Sequence, residues 1–284
     1  MIFPYLSLYI LLFSFICFIL FTLCPYPHGK FSYDLPLAIS SDVAWAMINV
    51  PALICIFGYW DMDNNRWVSD VPNTKGWLCL SFFIVHFVWR GIVSILWINM
   101  IHCDDNCRGT KKTSFLLVLS SWFYYPFVGM LIRYMCVHIE DSITIHDILF
   151  FICGLVFLGL NGYVDILFNY ERKTSIHTQD YDSNGIYLTK EGVNEYFKIL
   201  FHLNIETPNY FFEIIEWGFF VFLTLRFESL CWFIATLLML LPRALWTSHW
   251  YSECTDTVVR KVPQTKLKNT MVNAPKTKMG KMVF

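Results

Sequence analysis

The sequence predicts an all-α fold, a polytopic membrane helix bundle of about seven transmembrane helices, and three of its features carry that expectation. Apolar residues gather into runs long enough to cross a bilayer core, which takes roughly 20 residues per helix. Only 15% of the 284 residues are charged, against 56% hydrophobic and 19% aromatic, whereas soluble domains carry about 25% charged residues. Lysine and arginine are also divided very unevenly between alternate loops. A mean hydropathy of +0.48 leaves too little polar surface to cover a soluble fold. The net charge of −1, with no basic run interleaved with aromatics, points to no nucleic-acid partner.

The first run, 3–24, is almost wholly apolar. It has no basic region before it and no small-x-small site after it, so a retained helix is expected rather than a cleaved signal. Six further runs follow at 40–60, 77–101, 114–137, 147–169, 209–225 and 228–245. A polar segment from Tyr170 to Pro208 separates the fifth and sixth, and a basic tail follows Trp246. With the N-terminus placed in the lumen, fifteen lysines and arginines fall in cytosolic segments and three (Arg66, Lys75 and Arg226) in lumenal ones. That bias predicts a cytosolic C-terminus. Most cysteines lie inside apolar runs, where they behave as small hydrophobes. His102 and Cys103 with Cys107 lack a second ligand pair, so no metal site is expected.

Polar side chains at membrane depth are costly and default to a functional reading. Asn161 and Asp165 are four residues apart in the fifth run, a spacing that puts both on one helix face. Asn209, Glu213 and Glu216 form a second stripe at the start of the sixth. Arg243, followed by His249 and Tyr251, closes the seventh. All three groups fall at cytosolic helix ends, so they are expected to line one polar cavity open to the cytosol. An interfacial position or interhelical hydrogen bonding is the competing explanation. Gly154, Gly159 and Gly162 do not have the spacing of a dinucleotide fingerprint. They are expected to let helices approach closely.

These same residues carry a resemblance to the steroid 5α-reductase family. The stretch Pro208-Asn209-Tyr210-Phe211-Phe212-Glu213-Ile214-Ile215-Glu216-Trp217 is similar to the family's Pro-Asn-Tyr/Phe-x-x-Glu-Ile-Ile-Glu-Trp motif. Leu158-Gly159-Leu160-Asn161, then Asp165 and Arg172-Lys173, resembles the end of its fifth helix. His28-Gly29-Lys30-Phe31, Trp45 with Pro51, and His86-Phe87 with Arg90 resemble further landmarks, in order, from about 25 to 251. The resemblance implies a multi-pass membrane enzyme of the endoplasmic reticulum that uses NADPH to reduce a carbon–carbon double bond in a lipid, most simply a 3-oxo-4-ene steroid. It further implies cofactor contacts from Asn161, Asp165, Arg172, Asn209, Glu213, Arg243 and Tyr251, together with Lys30 and Tyr181. It divides the chain into a four-helix half lining the substrate pocket (1–137), a reductase half (138–251) and a divergent basic tail (252–284).

Two departures bear on catalysis. Where the family has Gln-Glu or a similar pair before the proline of the second helix, this sequence has Ile48-Asn49; where it has a tyrosine after the third-helix histidine, it has Phe87. Those family groups hold the substrate carbonyl, so the sequence assigns no catalytic residue. A cofactor- or sterol-binding member without chemistry, a trans-2-enoyl-CoA reductase and a polyprenol reductase remain as alternatives.

Overall fold

Proline and polar caps decide where the long apolar runs break. The computed structural model describes residues 3–23, 38–61, 63–101, 112–177 and 207–261, the side chains of 3, 4, 38, 41, 42, 98–101, 112, 168–177 and 250–261 excepted. Helices α1 (Phe3–Leu23), α2 (Ser41–Asn49), α3 (Thr74–Val88), α4 (Ser94–Ile101), α5 (Phe115–Trp122), α6 (Tyr125–Val137), α7 (Ile145–His177), α8 (Pro208–Thr224) and α9 (Phe227–Lys261) follow in order. Short strands β1 (Ala38–Ser40) and β4 (Lys112–Ser114) pair antiparallel, as do β2 (Tyr59–Asp61) and β3 (Arg66–Val68). The fold is an all-α membrane bundle.

Among the described residues, five stretches are long and apolar enough to cross a bilayer: Tyr5–Leu23, Thr74–Trp97, Phe115–Val137, Ile145–Leu167 and Phe227–His249. The other two expected spans are shorter. Helix α8 has 17 residues, and the run expected at 40–60 is helical only as α2 continued by a 3-10 turn, Val50–Ile56. Pro51 explains the latter. It has no N–H to give the carbonyl of Met47, and that carbonyl instead accepts the Trp122 indole N–H at 2.9 Å. Helix α7 runs beyond its expected end at 169, and α9 beyond 245.

Caps and cross-links gather alternate connections at one end of the bundle. Asn73 accepts the Gly76 N–H at 2.7 Å to begin α3 and donates to the Ile139 carbonyl at 2.5 Å. Thr144 and Asp147 bond reciprocally at the start of α7, a capping box. Asp147 also pairs with Lys75 of α3 at 3.1 Å, both side chains 6% exposed. Arg133 donates to the Asp70 carbonyl and Arg226 to that of His138. Pro208 sits in the first turn of α8, where its missing N–H costs nothing.

The core is aromatic. Phe82, Phe83, Phe87, Tyr124, Trp217 and Phe220 are among the largest fully buried side chains. Leu8, Leu12, Phe15, Ile16, Ile19, Leu20 and Leu23 of α1 are exposed, as a lipid-facing helix requires. Of the three glycines, Gly154 faces the ring of Phe82 and Gly162 that of Trp89, so closely that a methyl at either would collide. Gly159 faces open space and performs no such role.

Candidate active site

His86 and Arg90 stand one turn apart where α3 gives way to a π turn, Trp89–Val93. Such turns insert one residue into the helical ladder and often mark functional sites. Ser94 Oγ donates to the Arg90 carbonyl at 2.8 Å, occupying an acceptor the irregular ladder exposes. The Arg90 guanidinium donates from Nη1 to Asp165 Oδ2 and from Nη2 to Glu213 Oε2, each at 2.9 Å. Asn209 Nδ2 donates to the other Asp165 oxygen at 3.2 Å. One buried cation therefore ties the π turn after α3 to α7 and α8. Its two carboxylates meet the requirement that a buried charge be both paired and hydrogen-bonded.

A second polar pair lies behind the first. His86 Nδ1 and Glu216 Oε1 are 2.6 Å apart, so a proton lies between them. His86 Nε2 is 3.9 Å from Glu213 Oε1, near enough for charge attraction but too far for a hydrogen bond. Glu216 is wholly buried and its Oε2 has no partner. Asn161 is also wholly buried, close to Glu216, yet neither of its amide atoms reaches hydrogen-bonding geometry. Unsatisfied polar atoms at such depth are costly, and a bound group or water usually completes them.

Arginine and tryptophan shape the open side. The guanidiniums of Arg90 and Arg243 lie 5.0 and 5.7 Å from the ring of Trp45, and Arg243 also lies 5.3 Å from that of Tyr210. These are cation–π distances. A narrow, partly open cleft runs past them. It is lined by the charged groups Arg90, Glu213 and Arg243 and by the aromatic rings of Phe87, Tyr124, Tyr125 and Trp232. Trp232, Thr236, Leu240 and Arg243 recur at helical spacing, so one face of α9 forms a wall of the cleft.

The structure thus brings Asp165, Asn209 and Glu213 into one network around Arg90. It sets Arg243 on the wall of the same cleft and buries Asn161 behind it. His249 packs its ring 6.0 Å from that of Trp246 and is not among the residues lining the cleft. Arg172 and Tyr251 fall on α7 and α9 where side chains are outside the described residues, and Lys30 and Tyr181 lie outside them altogether. Arg90, the centre of the network, was a landmark without a role in the sequence reading. The signal available was an arginine inside an apolar run, which at membrane depth needs acidic partners.

A profile of the 3-oxo-5-alpha-steroid 4-dehydrogenase family matches residues 111–261, just over half of the chain. A steroid 5-alpha-reductase, DET2, of Solanum lycopersicum is 25% identical over 256 residues, covering 88% of this chain and 89% of its own. A 3-oxo-5-alpha-steroid 4-dehydrogenase of Rattus norvegicus is 24% identical over 233 residues, 80% of each chain. An uncharacterized protein of Schizosaccharomyces pombe is 28% identical over 247 residues, covering 79% of this chain and 84% of its own.

Proposed function

Because the chain belongs to the 3-oxo-5-alpha-steroid 4-dehydrogenase family, we propose that it is an NADPH-dependent reductase of a carbon–carbon double bond in a membrane lipid, most simply a 3-oxo-4-ene steroid. The observation that carries this reading is a cleft lined both by charged groups, Arg90, Glu213 and Arg243, and by aromatic ones, Phe87, Tyr125 and Trp232. A ligand pair with one polar, water-borne member and one apolar member suits such a lining.

The residues present suit the nicotinamide and ribose portion of the cofactor. Asn161 offers a donor and an acceptor that the folded chain leaves unpartnered, which is the chemistry a carboxamide completes. Asp165, Asn209 and Glu213 offer acceptors and an amide for hydroxyls, while Arg243 offers a planar donor fork for phosphate. Arg172, Tyr181, Tyr251 and Lys30 are proposed to complete the phosphate and adenine side. When bound, NADPH supplies a hydride. The chain's own contribution is to hold the lipid against that position, exclude water with its aromatic walls and polarise the bond to be reduced. Residues 1–137 are proposed to line the substrate pocket and 138–251 to hold the cofactor, with 252–284 a cytosolic tail in the endoplasmic reticulum membrane.

A second reading has its own observation. Phe87 offers no hydrogen-bond donor, and Asn49 Nδ2 already donates to the Trp45 carbonyl at 2.8 Å. On that ground the protein binds cofactor or sterol without turning it over. Membranes containing the protein separate the two readings. They are supplied with NADPH or NADH and with a 3-oxo-4-ene steroid, a polyprenol or a trans-2-enoyl thioester, and products gaining two hydrogens are sought by mass spectrometry. Reduced product with NADPH supports the enzyme. Protection against heat by NADPH without product supports the binder, and neither protection nor product removes both.

A further inference from the structure

Two hydrogen-bond donors on the α9 wall of the cleft are left over by the folded chain. Trp232 and Thr236 are four residues apart, so they share one helix face, and both line the cleft together with Asn49 and Phe87. Trp232 is 5% exposed and Thr236 6%. Indole Nε1 and hydroxyl Oγ1 are each buried without a hydrogen-bond partner. A helical threonine ordinarily turns its hydroxyl back to the carbonyl one turn earlier. Thr224 does so, bonding the Phe220 carbonyl at 3.0 Å. Thr236 does not.

Two other polar groups lining the cleft are each engaged at one atom. Tyr124 OH shares a hydrogen bond with Ser14 Oγ at 2.9 Å, and His86 Nδ1 is held by Glu216. Asn49 gives one of its two amide N–H groups to the Trp45 carbonyl, and Phe87, which also lines the cleft, has no donor. Two neutral donors at helical spacing on one cleft wall suit an uncharged oxygen acceptor better than a carboxylate or phosphate, for which a charged partner is the better match.

We propose that Trp232 Nε1–H and Thr236 Oγ–H hold the carbonyl oxygen of the substrate. This deepens the reductase reading and rests on it. The substrate class narrows to lipids whose double bond is conjugated with a carbonyl, and an isolated polyprenol alkene is excluded. The pair forms and breaks no covalent bond. It stabilises the negative charge that collects on that oxygen when the conjugated double bond is reduced.

The test uses the full chain in lipid nanodiscs and a 3-oxo-4-ene steroid labelled with carbon-13 at its carbonyl. Infrared difference spectra are expected to place the bound carbonyl stretch below its position in an apolar solvent. Thr236→Val, nearly unchanged in shape, and Trp232→Phe are each expected to move it back, while Thr236→Ser keeps it low. Turnover is expected to fall about 100-fold in Thr236→Val, the loss typical of one oxyanion donor, with KM little changed and serine restoring most of it. If the wild type reduces the steroid but the band is unmoved by either variant, the pair is refuted and the reductase reading stands. If the wild type binds no conjugated carbonyl compound, both fall.

Discussion

Arg90 carries the site's electrostatics, and replacing it with methionine tests that claim directly. The substitution keeps a long apolar stem and removes the guanidinium that meets Asp165 and Glu213 at 2.9 Å each. Deleting one partner of a buried ion pair costs about 3–5 kcal/mol, because the other charge is left uncompensated. Glu213, its side chain 9% exposed, falls under that rule. Asp165 is 26% exposed and still accepts from Asn209, so water and the amide soften its share. The expected loss is therefore about 3–5 kcal/mol and comes mainly from Glu213. At roughly 2–4 °C per kcal/mol for a chain of this size, thermal unfolding in nanodiscs, followed by tryptophan fluorescence, falls by about 6–20 °C. Adding Glu213→Gln removes the stranded charge, so the double variant is expected to regain at least half of the loss. A single variant within about 2 °C of wild type, or a double variant showing the plain sum of two losses, refutes the reasoning.

Three further outcomes follow from packing and caps. Gly162→Ala drives a methyl into the Trp89 ring whereas Gly159→Ala meets open space; the first is expected to cost about 1–3 kcal/mol and the second almost nothing in the same unfolding assay. Lys75→Met strands Asp147 at the β2–β3 end of the bundle, but Asp147 keeps its Thr144 bonds. A loss of about 1–3 kcal/mol is expected with protection by NADPH unchanged, and lost protection would contradict the separation of the two ends. Leu225 closes α8 in the left-handed conformation, at φ 49°. Leu225→Gly relieves that strain and is expected to raise stability by about 1 kcal/mol; a fall in the unfolding temperature would overturn the argument.

How much of this was legible beforehand depends on how local each feature is. Hydropathy alone placed every long helix, because a membrane span must satisfy its own backbone within one segment of fixed length. The stripe Asn209, Glu213, Glu216 and the pair Asn161, Asp165 were visible for the same reason: helical spacing alone sets which face they share. Pro51 was visible too. Its consequence was not, since the shortening of α2 depends on an indole from Trp122 taking the freed Met47 carbonyl.

What only the tertiary structure decided are the meetings between elements far apart in sequence. Arg90 reaches Asp165 across 75 positions and Glu213 across 123, and no periodicity links residues at such separations. Packing likewise decided that Gly162 makes room for a ring while Gly159 does not. It also decided that Thr224 satisfies its hydroxyl while Thr236 keeps one to spare. The local pattern tells each helix which face is polar; only the neighbour that arrives against that face determines whether its polar atoms are paired or left for a ligand.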